Sequence, residues 1–114
     1  MLEDYLNELT PLRIDREGHH KPFSFRLHQN YPNPFNSSTI IRFSLEHRAT
    51  VNLKIYDMLG RQVKQLVQGN LPAGEHDLHW YASNDLGSPV ASGLYIILLR
   101  SDDEQQLLKT LLIR

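Results

Sequence analysis

The chain has no cysteine among its 114 residues, so it holds no disulfide framework, no thiolate metal site and no thiol nucleophile. It has no excess of either charge: twelve Lys and Arg stand against thirteen Asp and Glu. A basic stripe for nucleic acid and an acidic solvating block are both excluded as readings. No apolar run reaches membrane-spanning length, so stable membrane insertion is not expected. Glu3 and Asp4 lie near the start, with no cationic segment followed by an apolar one, so the first residues do not read as a signal peptide. The length bounds the chain to one domain with a tail, and a hydrophobic share of 40% suffices for a compact core.

What is present starts with residues 30–36, Asn-Tyr-Pro-Asn-Pro-Phe-Asn. Pro32 and Pro34 fix φ and remove two backbone donors, which disfavours both helix and central strand. Tyr31 and Asn33, each before a proline, are pushed toward extended backbone. The asparagines can close local turns, and Tyr31 and Phe35 can plug the stiff segment onto an apolar surface. The segment reads as a strap that opens a β domain.

Before the strap, Leu2, Tyr5, Leu6, Leu9 and Leu12 fall at helical spacing, which allows a short helix over 2–10. The favoured reading is the end of a preceding domain, because a short isolated helix is marginal. Residues 13–21 are charged and aperiodic and read as linker. Residues 1–26 are therefore expected to form a non-β tail, apart from a short alternation at Phe23, Phe25 and Leu27 leading into the strap.

Six strand-like segments follow, at 39–45, 50–56, 61–67, 75–81, 94–99 and 105–114. The first two alternate apolar and polar residues, as half-buried antiparallel strands do. The third alternates weakly and suits an edge. The fifth is apolar on both faces and suits a central position. Asp57-Met58-Leu59-Gly60 and Asn84-Asp85-Leu86-Gly87 repeat one turn pattern, and 69–74 with Pro72 reads as another turn. The expected fold of 27–114 is an all-β antiparallel sandwich of about six to seven strands. The last strand is apolar although it ends the chain, so it is expected to be core.

Chemistry is sparse. His76 and His79 are three apart, which on a strand puts them on opposite faces, so no metal site is expected. Asp57, Asn84 and Asp85 suit turn chemistry better than calcium, which needs several converging oxygens. No nucleophile elbow, zinc helix or phosphate loop occurs. No enzyme activity and no cofactor are expected. Trp80 shares a face with Leu78 and reads as core, whereas Tyr56 and Tyr81 are candidates for exposure in an aromatic sugar platform.

Several of these pieces resemble one family. Asn30-Tyr31-Pro32-Asn33-Pro34-Phe35-Asn36-Ser37-Ser38-Thr39 looks like the opening signature of the C-terminal sorting domain of type IX secretion cargo. That family overlaps the immunoglobulin-like module named after the flagellar hook-capping protein. Ile55-Tyr56-Asp57-Met58-Leu59-Gly60-Arg61, Leu71-Pro72-Ala73-Gly74, Trp80, Ala91-Ser92-Gly93-Leu94-Tyr95 and the terminal 109–114 continue the match in order. Ser37 departs from it, since the family commonly has Pro there.

The resemblance implies an immunoglobulin-like sandwich that directs a cargo across the outer membrane and is then cut off by a sortase-like peptidase. It implies a secreted or cell-surface location, with an outer-membrane translocon and an upstream cargo domain as partners. By family analogy Gly93, Tyr95, Lys109, Leu111 and Ile113 carry recognition, while Asn30, Pro32, Asn33, Pro34, Phe35, Gly60, Gly74 and Trp80 form the structural signature. A receptor reading strand edges is compatible with varied side chains. Cleavage is expected between about Arg13 and Phe25, where backbone is accessible. The rival reading is an immunoglobulin-like spacer or carbohydrate-binding module of a secreted hydrolase.

Overall fold

The computed structural model describes residues 12–14, 20–22 and 24–114. Strands β1 (Leu12–Ile14) and β2 (His20–Pro22) pair antiparallel with each other. The tail expected to lack strands thus carries one short pairing. The helix expected over 2–10 lies outside the described residues.

The remaining strands are β3 (Phe25–Leu27), β4 (Thr39–Leu45), β5 (Ala49–Asp57), β6 (Gln62–Leu71), β7 (Gly74–Trp80), β8 (Gly93–Ser101) and β9 (Glu104–Leu112). They form two antiparallel sheets, ordered β3-β4-β7 and β6-β5-β8-β9. Alternation decides the inner faces. Ile41, Phe43 and Leu45 of β4 face Val51, Leu53 and Ile55 of β5 and Ile97 and Leu99 of β8 in one buried cluster. The expectation of a sandwich of about six to seven strands is met with seven, with β6 at an edge and β8 between two partners.

The weak alternation of β6 has a cause. Its register against β5 shifts twice, leaving Val63 and Leu66 without a residue opposite. Such bulges break the period of two and bend an edge strand. The turn expected at 69–74 shrinks to Pro72 and Ala73, since β6 pairs through Leu71. On β8 the buried apolar residues are Tyr95, Ile97 and Leu99; Leu94 is exposed and Ile96 and Leu98 are half-buried.

The long strands run between two poles. The chain enters at Ser24 at a proximal pole, which also holds the β4–β5, β6–β7 and β8–β9 turns. The distal pole gathers the strap, the β5–β6 turn, the connection at 81–92 and residues 113–114.

A polar seam closes one side of the sandwich. Gln106 of β9 accepts a hydrogen bond from the Leu27 amide at 2.8 Å and donates to the Phe25 carbonyl at 2.8 Å. Its carboxamide thereby stands in for a backbone peptide between the edges of the two sheets. Glu104 accepts from the amide and hydroxyl of Ser24 at 3.1 and 2.8 Å. Replacing Gln106 by Ala strands a donor and an acceptor on β3 and is expected to cost about 1–3 kcal/mol. Urea unfolding of the variant beside the native chain measures it; an unchanged midpoint would remove the seam from the account.

Candidate recognition site at the terminal hairpin

Residues 25–36 run along the outward edge of β9 and fasten it. Phe35 donates its amide to the Leu111 carbonyl at 3.0 Å and accepts from the Ile113 amide at 2.9 Å, forming a parallel bridge to Leu112. Asn33 accepts from the Leu111 amide at 3.0 Å and from the Thr110 hydroxyl at 3.2 Å. The last part of the terminal strand, around Leu111 to Ile113, is thus paired on both sides, with β8 on the other.

Asn30 is the centre of this attachment. It is 1% exposed and donates its two amide hydrogens to the hydroxyl oxygens of Thr39, at 2.9 Å, and Thr110, at 2.6 Å. Its carbonyl accepts from Gln29 at 2.8 Å. Thr39 in turn donates to the Pro32 carbonyl at 2.8 Å. Every buried polar atom in this chain of contacts has a partner, as burial requires.

The peptide bonds before Pro32 and Pro34 are both cis. Phe35 is buried against Trp80, with ring centroids 5.5 Å apart. Tyr31 does not plug the strap as expected, and is 78% exposed. It pairs with Ile40, a residue on the outer face, and directly opposite strand residues share a face.

Trp80 is fully buried, donates to the Ser83 carbonyl at 2.9 Å and meets Tyr95 edge-on at 5.3 Å. Tyr95 points inward and donates its hydroxyl to the Ala91 carbonyl at 2.5 Å. Burial first, then the Asp57 carboxylate, raises its pKa, against a smaller opposing effect of Arg114. Gly93 begins β8 opposite Leu112 at φ 154°, a value that a side chain would strain. Lys109 and Leu111 stand on the outer face, Lys109 exposed and Leu111 half-buried, and Ile113 is 51% exposed at the distal pole. Gly74 opens β7 opposite Leu45 at the proximal pole, at the other end of the sandwich from Gly93 and Ile113.

Asp57 and Asn84 build the same turn twice. Each side-chain Oδ1 accepts from the amides two and four residues ahead, at 2.9–3.0 Å: Leu59 and Arg61 for Asp57, Leu86 and Ser88 for Asn84. In each, the glycine amide closes on the carbonyl of the first residue. Gly60 (φ 82°) and Gly87 (φ 86°) take the backbone shape this closure needs. Asp85 then docks the second turn on β6, accepting from the Gln65 amide and the Gln62 carboxamide at 2.9 Å each. These oxygens therefore serve the backbone. Among the described residues no cluster of three or more His, Asp and Glu converges for a metal.

His76 stacks on Phe43 and bonds the Pro72 carbonyl, while His79 stacks on Tyr81 outside, so the two histidines do lie on opposite faces. Tyr56 and Tyr81 also separate, onto the outer faces of different sheets, and form no joint platform. An open cleft of about 830 Å³ beside Tyr31 is lined by Arg42, Asp77 and Glu75. Arg42 and Asp77 meet there in a two-point pair at 2.7 and 3.0 Å.

Three attachments escaped sequence reading. Arg114 donates from its side chain to the carbonyls of Val90 and Ala82, at 2.6 and 2.9 Å. Nothing in a terminal arginine announces that role. Gln106 and Thr110 had a signal: both fall on the inward register of β9 with Leu108 and Leu112. A polar residue at an inward position demands a buried partner.

A two-sheet antiparallel sandwich with Greek-key-like connections, a tyrosine hydroxyl bonded back to the backbone and a tryptophan core defines an immunoglobulin-like domain. The chain belongs to the FlgD Ig-like domain family, whose model matches residues 30–105. No curated protein matches the chain. Among solved structures it is similar to dimeric latent PorU from Porphyromonas gingivalis, at 20% identity and TM-score 0.61 over 78% of this chain. It is also similar to PorZ, a surface component of the type IX secretion system of the same organism, at 26% identity and TM-score 0.56 over 77% of this chain. The match spans 9% of the PorU chain and 11% of the PorZ chain.

Two measurements test the site. Asn30→Ala removes the donor to Thr39 and Thr110 and should destabilise the fold by about 2–3 kcal/mol, with Thr110→Val non-additive in a double-mutant cycle. Additive losses in urea melts would disconnect the pair. The second is acid sensitivity. The Arg61 amide, then the Arg61 guanidinium and the Leu59 amide, hold the Asp57 carboxyl below the usual 3.8, against a burial effect that raises it. The Gln65 amide, then Gln62, do the same for Asp85. A lowered folded-state pKa stabilises above the unfolded value and is lost as pH falls through the folded one. Stability should therefore drop between about pH 5 and about pH 2, and less steeply in the Asp57→Asn, Asp85→Asn double variant. Equal slopes in the two proteins would count against this.

Proposed function

We propose that this domain is a non-enzymatic sorting signal that directs an attached cargo across the outer membrane by type IX secretion, to the medium or the cell surface. The observation that carries the reading is the union of the two family segments. The 30–36 strap and the 109–113 segment, far apart in sequence, form one continuous hydrogen-bonded unit. A receptor therefore meets a shaped surface and not a loose peptide. The likeness to PorZ, at 26% identity, supports the same reading.

Within this reading the hairpin residues divide by placement. Gly93 and Tyr95 shape the hairpin from inside, one through its backbone and one through its buried hydroxyl bond. Lys109, Leu111 and Ile113 present side chains outward to the translocon. The sandwich takes up the chain from Ser24, which Glu104 holds. A sortase-like peptidase cutting between about Arg13 and Phe25 would separate the cargo and leave the strands from β4 onward in place. The carbohydrate-module reading has less support, because Tyr56 on β5 and Tyr81 beyond the end of β7 form no joint platform.

The test fuses the full 114-residue chain behind an exported reporter, in a bacterium with this secretion system. The reporter should reach the medium or surface, and should stay in the periplasm when 107–114 are deleted. Because that deletion also disrupts the core, Lys109→Glu serves as a variant on an exposed position, expected to lower export several-fold with an unchanged melting curve. Export that ignores both changes would end the sorting reading.

A further inference from the structure

The outer faces of the two sheets handle charge differently. On the β3-β4-β7 face Arg42 is spent within the domain, on Asp77 at 2.7 Å and Glu75 at 3.9 Å. On the β6-β5-β8-β9 face the outward positions of β5, β8 and β9 carry Lys54, Arg100 and Lys109 and no carboxylate. None of these three cations enters an ion pair among the described residues. Asp85 comes to the β6 rim near Lys54 and Lys64, but its oxygens accept from the Gln65 amide and the Gln62 carboxamide. Asp102 and Asp103 stand on the turn beyond Arg100, at the end of the sheet.

The same face carries an apolar stripe, and its continuity follows from the register. Leu94 stands directly opposite Leu111, and Leu98 opposite Leu107. Ile96 lies between Tyr56 on one side and Lys109 on the other, and Lys54 is opposite Leu98. Residues directly opposite on one face have β-carbons about 5 Å apart, so these side chains touch. Leu107 is 57% and Leu94 42% exposed, while Ile96, Leu98 and Leu111 are half-buried. Grouped apolar side chains of this kind mark an interaction site, whereas single ones do not.

A polar atom on this face is also left over. The side-chain carbonyl oxygen of Asn52 is buried without a hydrogen-bond partner, the one such side-chain oxygen among the described residues. It sits with Lys54, Tyr56, Leu98 and Arg100 around a small cleft. Folded chains rarely leave a buried acceptor in that state, and a partner laid over the face can bring it a donor.

The chemistry narrows the occupant. Two copies of this face would set Lys54, Arg100 and Lys109 against their own counterparts, and facing like charges repel. Insertion into lipid needs apolar groups that stand clear of polar ones, whereas most of this stripe is half sunk between cationic stems. A protein surface with an apolar centre and carboxylates around it answers both features. With strands of about nine residues spaced about 4.8 Å apart, the face covers roughly 600 Å², the size of one side of a small, reversible interface.

We propose that the outer face of the four-stranded sheet docks onto a protein surface with an apolar centre and an acidic rim. Leu94 and Leu107 are its apolar anchors, and Lys54, Arg100 and Lys109 its charge contacts. The identity of that partner as the secretion receptor rests on the sorting reading above. The docking surface extends beyond the terminal residues named there, across β8 to β5.

The experiment uses the full-length reporter fusion. One variant carries Leu94→Ser and Leu107→Ser, a second Lys54→Gln and Arg100→Gln, and a third the charge-retaining Lys54→Arg and Arg100→Lys. A control on the other sheet carries Glu75→Gln and His79→Ser. Melting curves of all four should match the native chain. Export of the leucine variant should fall tenfold or more, given what burial of two leucines is worth in binding. The neutralised variant should fall several-fold, while the charge-retaining variant and the control are exported normally. If the leucine variant melts early, the neutralised variant decides. A native fusion that is exported, beside folded leucine and neutralised variants exported equally well, overturns the docking face and leaves the sorting reading intact. Loss in the leucine variant with none in the neutralised one overturns the acidic rim. A native fusion that stays in the periplasm overturns both the docking face and the sorting reading. Purified chain is also mixed with phosphatidylcholine and phosphatidylglycerol vesicles and sized by light scattering. Vesicle binding or dimerisation that the leucine substitutions abolish would assign the face to lipid or to a second copy, and overturn the protein partner.

Discussion

The buried amide of Asn30 is the contact on which the rest of the domain depends. Its two hydrogens have few alternatives to Thr39 and Thr110, because water is excluded there and an unpaired polar group in such a place is expensive. One side chain thereby fixes the start of β4, the strap and the inward register of β9. A slip of β9 by one residue would turn Thr110 away and expose Leu108 and Leu112. The bonds from the strap to β9 span 76 to 80 residues, so they cannot form before both ends of the domain exist. A domain closed in this way presents its finished surface only when its whole chain is present.

The seam along the other part of β9 obeys the same logic with different atoms. Backbone hydrogen bonds pair strands within a sheet, but they cannot pair β3 with β9 across two sheets. Gln106 bridges that gap because a carboxamide offers the donor and acceptor of a peptide on a flexible stem. The β3 edge is thereby tied to β9 at Phe25 and Leu27. A receptor that adds a strand to β9 would have to displace these bonds first. Side chains at the hairpin are the accessible features.

Electrostatics in the turns serves shape. Asp57 and Asp85 sit near Arg61, Lys64 and Lys54, but their principal partners are backbone amides. Those bonds stiffen loops that would otherwise be the mobile part of an immunoglobulin-like domain. Family membership supplies the scaffold and no more, since one fold carries many functions. What distinguishes this surface is local: two equal turns, each raising an exposed leucine.

Much of the architecture was legible before any coordinates. Alternation in 39–45 and 50–56 identified the half-buried strands, and the doubly apolar 94–99 marked β8 as an interior strand, as β4 and β5 also are. The repeated Asx and glycine spacing identified both turns. Period-two patterning and turn chemistry are local, and a sequence records local preference directly. Tyr31 and Tyr95 were harder, because an aromatic beside proline or glycine has equal claims to core and surface until its opposite residue is known. Tertiary structure alone decided that Gln106 would close the sheets and that Arg114 would reach the 82–90 carbonyls. Each of those depends on which distant backbone groups come within 3 Å of one another, and that distance is set by the folding of the whole chain.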